Sequence, residues 1–194
     1  MSTTRPYGTT TQPPANSRTR IVQTVREMLE EGSFHQATME AVATRAGVSR
    51  ATLYQHFRSR PALVQAVCET FTTSAAVIGI YSATTVHELF EHAVAFWVAE
   101  ERVFLALTGV MAVDPAAKGV VDDIAADRMR QTKRVLELET GQKSAKALVA
   151  IVAALTGFEV YLDLRRRAGL PEAEVLRVLR VTAERALQPH NSQY

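Results

Sequence analysis

Residues 47–57 read GVSRATLYQHF, and the fold is decided by this stretch. Gly47 can take the left-handed backbone conformation that ends one helix, and Ser49 can cap the next by accepting from a free N–H. Leu53 and Phe57, four residues apart, give that short helix one buried face, with Val48 plugging the turn before it. Arg50, Thr52, Tyr54 and His56 are left to face outward. The window 45–60 holds Arg45, Arg50, Arg58 and Arg60 and no acidic residue. Cationic, hydrogen-bonding and aromatic side chains on one short helix are the composition of an element that enters DNA.

Working outward, Ile21, Val25, Met28 and Leu29 fall at helical spacing after Ser17, a candidate N-cap, and Gly32 stops that helix. Thr38 precedes Met39, Val42, Ala43 and Ala46, a second short helix that ends at Gly47. Ser59 opens a fourth helix, with Pro61 tolerated in its first turn, that carries Leu63, Val64, Val67 and Phe71 and is expected to run to about Ile78. Residues 1–16, rich in Ser, Thr, Pro and Gln without apolar periodicity, read as a disordered arm. The expected domains are therefore the arm at 1–16, a DNA-binding head at 17–60 and a larger helical domain at 61–190.

Composition sets the outer limits. A chain of 194 residues, 47% apolar, with few Gly, Pro and aromatic residues, favours an all-α fold. The net charge of +2 rules out a polycation that coats nucleic acid indiscriminately, so any DNA affinity must come from clustered arginines. The single cysteine, Cys68, cannot form an intramolecular disulfide, and it reads as a small apolar residue on a helix. No charged segment followed by an apolar run opens the sequence. The longest apolar run, 147–158, is short of the roughly 20 residues that cross a bilayer. A soluble cytoplasmic protein is expected.

The downstream sequence continues as helices. One begins after Thr84 or Thr85, another spans 103–113, a long one runs from Pro115 to about Thr140, and two more cover Lys143–Arg167 and Pro171–Leu187. The total is about nine. The last two hold more apolar surface than one antiparallel contact hides, and Ala150, Ala153, Ala154 and Gly157 give a face of small residues. That pattern suits a four-helix homodimer interface.

The segments IVQTVREMLEEGSF, ATMEAVATRAGVSRATLYQHF and RSRPAL resemble the N-terminal domain of the TetR family of transcriptional regulators. The resemblance covers about a quarter of the chain. It implies a three-helix DNA-binding head followed by a helical domain that dimerises and binds a small molecule. It also implies a double-stranded, near-palindromic operator, and repression more often than activation. Carried onto matching positions, it makes Thr38 a phosphate contact and puts Ser49, Arg50 and Thr52 near base edges. Tyr54, His56 and Arg60 fall where the family touches the DNA backbone. Ala51 stands where glycine or proline is frequent. The link from Gly32 to Thr38 is one residue longer than the common pattern, which leaves the seating of Phe34 to the tertiary structure.

For an effector cavity the sequence offers Phe90, Phe96, Trp97, Phe104, Met111 and Phe158, aromatic or adaptable side chains suited to an apolar lining. No cofactor, metal or catalytic residue is expected. The run HELFEH at 87–92 spaces its histidines five apart, whereas the zinc-protease signature needs four so that both face one metal. No nucleophile elbow or phosphate-binding glycine loop is present, so an enzyme in the helical domain is the weaker alternative.

Overall fold

The computed structural model describes residues 16–113 and 115–187. All regular structure among them is helical. Helix α1, Ser17–Glu30, buries Ile21, Val25, Met28 and Leu29 along one stripe. Its cap is Asn16, whose side chain accepts from the Arg18 N–H, so the cap lies one residue before the expected Ser17. A 3-10 turn over Phe34–Gln36 takes up the long link and places Phe34 fully inside the core.

Helix α2, Met39–Arg45, is capped by Thr38, and α3, Arg50–His56, by Ser49, each hydroxyl accepting from a first-turn N–H. Between them Gly47 has φ +63. The Gly47 N–H donates to Thr44 O at 3.1 Å and the Val48 N–H to Ala43 O at 3.0 Å, the paired bonds of a Schellman ending. The end of α2 is thus satisfied internally, and the chain turns sharply enough for α3 to lie across it. Leu53 and Phe57 are buried against α1 and α2.

Helix α4, Arg60–Phe71, leaves the head, and it is shorter than the sequence pattern predicts. The hydroxyls of Thr70, Thr72 and Thr73 each bond a carbonyl three residues back, and Ser74 caps a new helix, α5, Ala75–Ser82, bent by 68° from α4. Local side-chain bonds compete here with continued helix. The two helices expected within 84–113 are instead one, α6, Val86–Val113. Its start is a capping box, with Thr85 Oγ1 accepting from the Glu88 N–H and Glu88 accepting from Thr84 and Thr85 N–H. Glu100 and Glu101, mid-helix charges, find partners on other elements, Arg26 and Tyr161, so the helix continues through them.

Helix α7, Pro115–Thr140, ends at Gly141, φ +66. The predicted single helix over 143–167 is broken. Helix α8, Lys146–Leu155, stops at Thr156, and α9, Phe158–Leu162, leaves at 44° and passes into a π turn over Asp163–Arg167. Trp97 Nε1–H donates to Thr156 O at 2.9 Å and fixes that break. Helix α10, Glu172–Leu187, closes the described chain, so there are ten α-helices among the described residues. Helix α6 lies at the centre, in contact with α1, α5, α7 and α10. Of the expected arm at 1–16, all but Asn16 falls outside the described residues, as do residues 188–190 of the expected helical domain. No single described helix is long and apolar enough to cross a membrane.

A Cβ at Gly47 would meet no atom within 4 Å, so only backbone strain opposes a side chain there. Gly47→Ala is expected to lower stability by about 1–2 kcal/mol, and Gly47→Asn by less. Urea unfolding checks this; equal stability of the alanine variant would remove the left-handed turn from the account.

Candidate nucleic-acid interface and internal cavity

Helix α3 turns its buried edge inward and leaves Arg50, Tyr54 and His56 exposed, with Thr52 half-buried. Ser49 and Thr52 are joined twice: the Ser49 hydroxyl accepts from the Thr52 N–H at 3.0 Å, and the two hydroxyls lie 2.8 Å apart. Thr38, also exposed, stands at the start of α2 with its hydroxyl accepting from Ala41 N–H. The Arg50 guanidinium lies over the Tyr54 ring at 5.5 Å and pairs with Glu40 of α2 at 2.9 Å. Both partners are well exposed, and such a surface pair is worth about 0–1 kcal/mol, so a stronger acceptor can displace Glu40 at little cost.

The linear charge count misleads in this region. Arg45 is paired in bidentate fashion with Glu31 at 2.6 and 2.7 Å, which folding brings across from the end of α1. Arg60 turns inward: its guanidinium donates to the carbonyls of Phe34, at 2.9 Å, His35, at 3.3 Å, and Ala37, and lies 4.5 Å from the centre of the Phe34 ring. It clamps the lengthened link to the start of α4 and so positions Thr38. Arg58, counted in the cationic window but given no contact role from sequence, is exposed between α3 and α4.

The second feature is a cavity of about 470 Å³, open to solvent on one side and lined by α4, α5, α6 and α7, with Thr156 at the α8–α9 break. Of the six residues named from sequence, Phe96 and Trp97 line it. Phe104 and Phe158 pack behind Trp97, with ring centres at 4.8 and 5.2 Å, and Phe90 is fully buried. None of these three is in the wall, nor is Met111, which lies near the far end of α6. The apolar wall comes instead from Phe71, Val77, Ile80, Leu89 and Ile124. Helix α5, which supplies two of them, was not separated from α4 in the sequence pattern.

The polar groups of the cavity differ in their burial. Asp127 accepts from the Tyr81 hydroxyl and pairs with Arg130 at 2.8 Å, and Glu69 pairs with Arg18 at 3.2 Å. The bond to Asp127 raises the pKa of Tyr81, with some help from burial. Cys68 is buried, and desolvation, with Glu69 and Glu100 nearby, pushes its thiol up to about 12, which keeps it protonated and unreactive. Burial also pushes the Arg128 guanidinium below its ordinary range, with Glu159 working the other way. Outside the cavity, His87 Nε2 lies 3.1 Å from Glu91, and His92 packs against Gly79, where a Cβ would clash with its ring.

Residues 21–67 match the family model described as bacterial regulatory proteins, tetR family. The head is thus similar, in sequence as in fold, to the N-terminal domain of that family. Over 51 residues the chain is 45% identical to the HTH-type transcriptional regulator UidR of Escherichia coli strain K12, covering 26% of each chain. The chain thus spans about a quarter of the length of the curated relatives it matches. Among solved structures, Salmonella enterica GusR superposes with a TM-score of 0.71 at 18% identity, over 91% of this chain and 97% of that one. A Saccharomonospora viridis protein described as a transcriptional regulator, solved in complex with choline, gives 0.60 at 17% identity, over 90% and 96%. Across its described length the chain has the fold of these regulators, a TetR-type head on a larger helical domain.

The inward turn of Arg60 leads to a specific expectation. Arg60→Ala should destabilise the TetR-type head by about 1.5–3 kcal/mol, the range for hydrogen bonds to a charged group. The slope of log DNA affinity against log salt should stay as in the wild type. Melting curves paired with salt titrations check both, and a slope reduced by about one, with stability kept, would make Arg60 a phosphate contact instead.

Proposed function

We propose that this protein is a dimeric, effector-released transcriptional repressor that reads a near-palindromic operator. The observation that carries the reading is the exposed face of α3, where Arg50, Thr52, Tyr54 and His56 surround a helix held from behind by Leu53 and Phe57. In this reading Arg50 exchanges Glu40 for the N7 and O6 acceptors of a guanine, with Ser49 and Thr52 beside it at the helix start. Thr38 offers its hydroxyl and the first N–H groups of α2 to a phosphate, and Tyr54 and His56 flank the same groove.

Two successive major grooves lie roughly 34 Å apart, so two heads must be held in fixed relation. Support for a homodimer comes from α8, where Ala147, Ala150, Ile151 and Ala154 form an exposed stripe at helical spacing, with Ile151 50% exposed. On α10, Leu176, Val178 and Val181 are half-buried in the single chain. A small-residue stripe lets a partner helix approach closely, and a second copy of α8 and α10 completes a four-helix contact.

Helix α4 provides the mechanical link. Its first residue, Arg60, grips the head, and its last turn, with Cys68 and Phe71, is cavity wall. The helix spans about 18 Å at 1.5 Å per residue, so a ligand that displaces its cavity end shifts the head at the other. Release then follows from tighter ligand binding to one head spacing than the other. Repression is chosen over activation because a dimer occupying promoter DNA blocks it without a further partner surface.

Arg50→Ala should lower affinity for sites selected from a random double-stranded library by about 1–3 kcal/mol and relax one position per half-site, with the helical content retained. Unchanged preference would remove Arg50 from base reading. Ile151→Arg should convert the protein to a monomer in light scattering and weaken operator binding steeply. A dimer that survives this substitution places the interface elsewhere.

A further inference from the structure

The cavity holds one charged side chain whose needs the protein leaves unmet. Arg128 projects from α7 into the wall beside Trp97 and Thr156. Its Nε is buried and has no hydrogen-bond partner. Among the described residues, no carboxylate forms an ion pair with it and no acceptor bonds its terminal nitrogens, whereas Asp127 and Glu69 at the same cavity are already paired. The guanidinium lies against the α8–α9 break, where a Cβ on Gly157 would be in ordinary contact with the Arg128 Cζ and a terminal nitrogen at 3.5 Å.

A guanidinium remains charged in any protein setting, and Arg128, half-buried and with Glu159 acting on it without forming an ion pair, has lost hydration that no hydrogen bond replaces at Nε. A planar anion with two oxygens matches its paired N–H groups. The remaining wall near Arg128 is Phe96, Trp97 and Ile124, which suits a hydrocarbon body. The carboxylates of Asp123 and Asp127 disfavour a small free anion, so the anion that enters must bring apolar surface with it.

From these residues we infer that the effector is an amphipathic carboxylate whose head group pairs with Arg128 and whose apolar body packs on Trp97 and Ile124. The inference rests on the cavity being the effector site. It names the chemical class of the ligand, and it sets a cationic effector aside because the acidic groups of this cavity are exposed or already satisfied.

Trp97 is the sole tryptophan and lies in the wall, so its fluorescence reports occupancy directly. The full chain would be titrated with octanoate, octan-1-ol, octyl phosphate and octyltrimethylammonium, with melting temperature as a second readout. Octanoate is expected to bind about tenfold or more tightly than the alcohol, the scale of a charge-assisted hydrogen bond pair. Arg128→Gln should bring the two to within about threefold of each other by weakening octanoate alone, since only the carboxylate uses the guanidinium. Without ligand, Arg128→Met should melt at the wild-type temperature or above, because it removes a charge that has no partner.

Equal binding of acid and alcohol, or tightest binding of the ammonium or the phosphate, would overturn the carboxylate assignment while leaving the cavity as a ligand site. A clear fall in melting temperature for Arg128→Met would show that the guanidinium holds the fold together and would equally overturn it. If no probe moves the Trp97 signal or the melting temperature, the effector reading of the cavity itself fails.

Discussion

The structure depends on how the end of α4 is seated. Phe71 packs against Phe96 and Phe104 of α6, with ring centres at 5.5 and 5.6 Å, and the Arg26 guanidinium of α1 lies 5.8 Å from the centre of its ring. Arg26 in turn pairs with Glu100 of α6 at 2.7 Å. Glu100 is buried and Arg26 mostly so; removing one partner of such a pair leaves a desolvated charge, which costs several kcal/mol, about 3–5 where burial is complete. This aromatic and ionic junction joins the TetR-type head to the helical domain and closes the inner side of the cavity.

The same junction gives the molecule its division of labour. In the proposed mechanism the contact at Phe71 is what lets α4 act as a lever instead of a loose tether, since dense aromatic packing resists gradual deformation. Behind it, Trp97 ties α6 to the break between α8 and α9 through Thr156. The cavity wall, the end of α4 and the α8–α9 break therefore meet at one aromatic cluster.

The head was largely legible because its signals are local. Caps at Thr38, Ser49 and Ser59, the turn at Gly47 and the spacing of Leu53 and Phe57 act within a few residues, where steric and hydrogen-bonding rules hold in any context. The electrostatics of the same region were not legible. Glu31 and Glu40 lie 14 and 10 residues before the arginines they meet, and no window along the chain displays that pairing. Arg60 shows the same limit, since its charge suggests a phosphate and only the fold brings three carbonyls within its reach.

By itself, then, the sequence determined the helical class, the helix-turn-helix and the identity of the face that α3 turns outward, because apolar periodicity and capping chemistry are short-range. Tertiary structure alone decided which charges stay available, where α4 and α8 break, and which residues line the cavity. Phe104 and Phe158 have the same composition signal as Phe96 and Trp97, and packing from other helices is what sets them behind the wall instead of on it. Arg128 carries no local signal at all; only the fold sets it in the cavity wall against the α8–α9 break, with its Nε buried and without a partner.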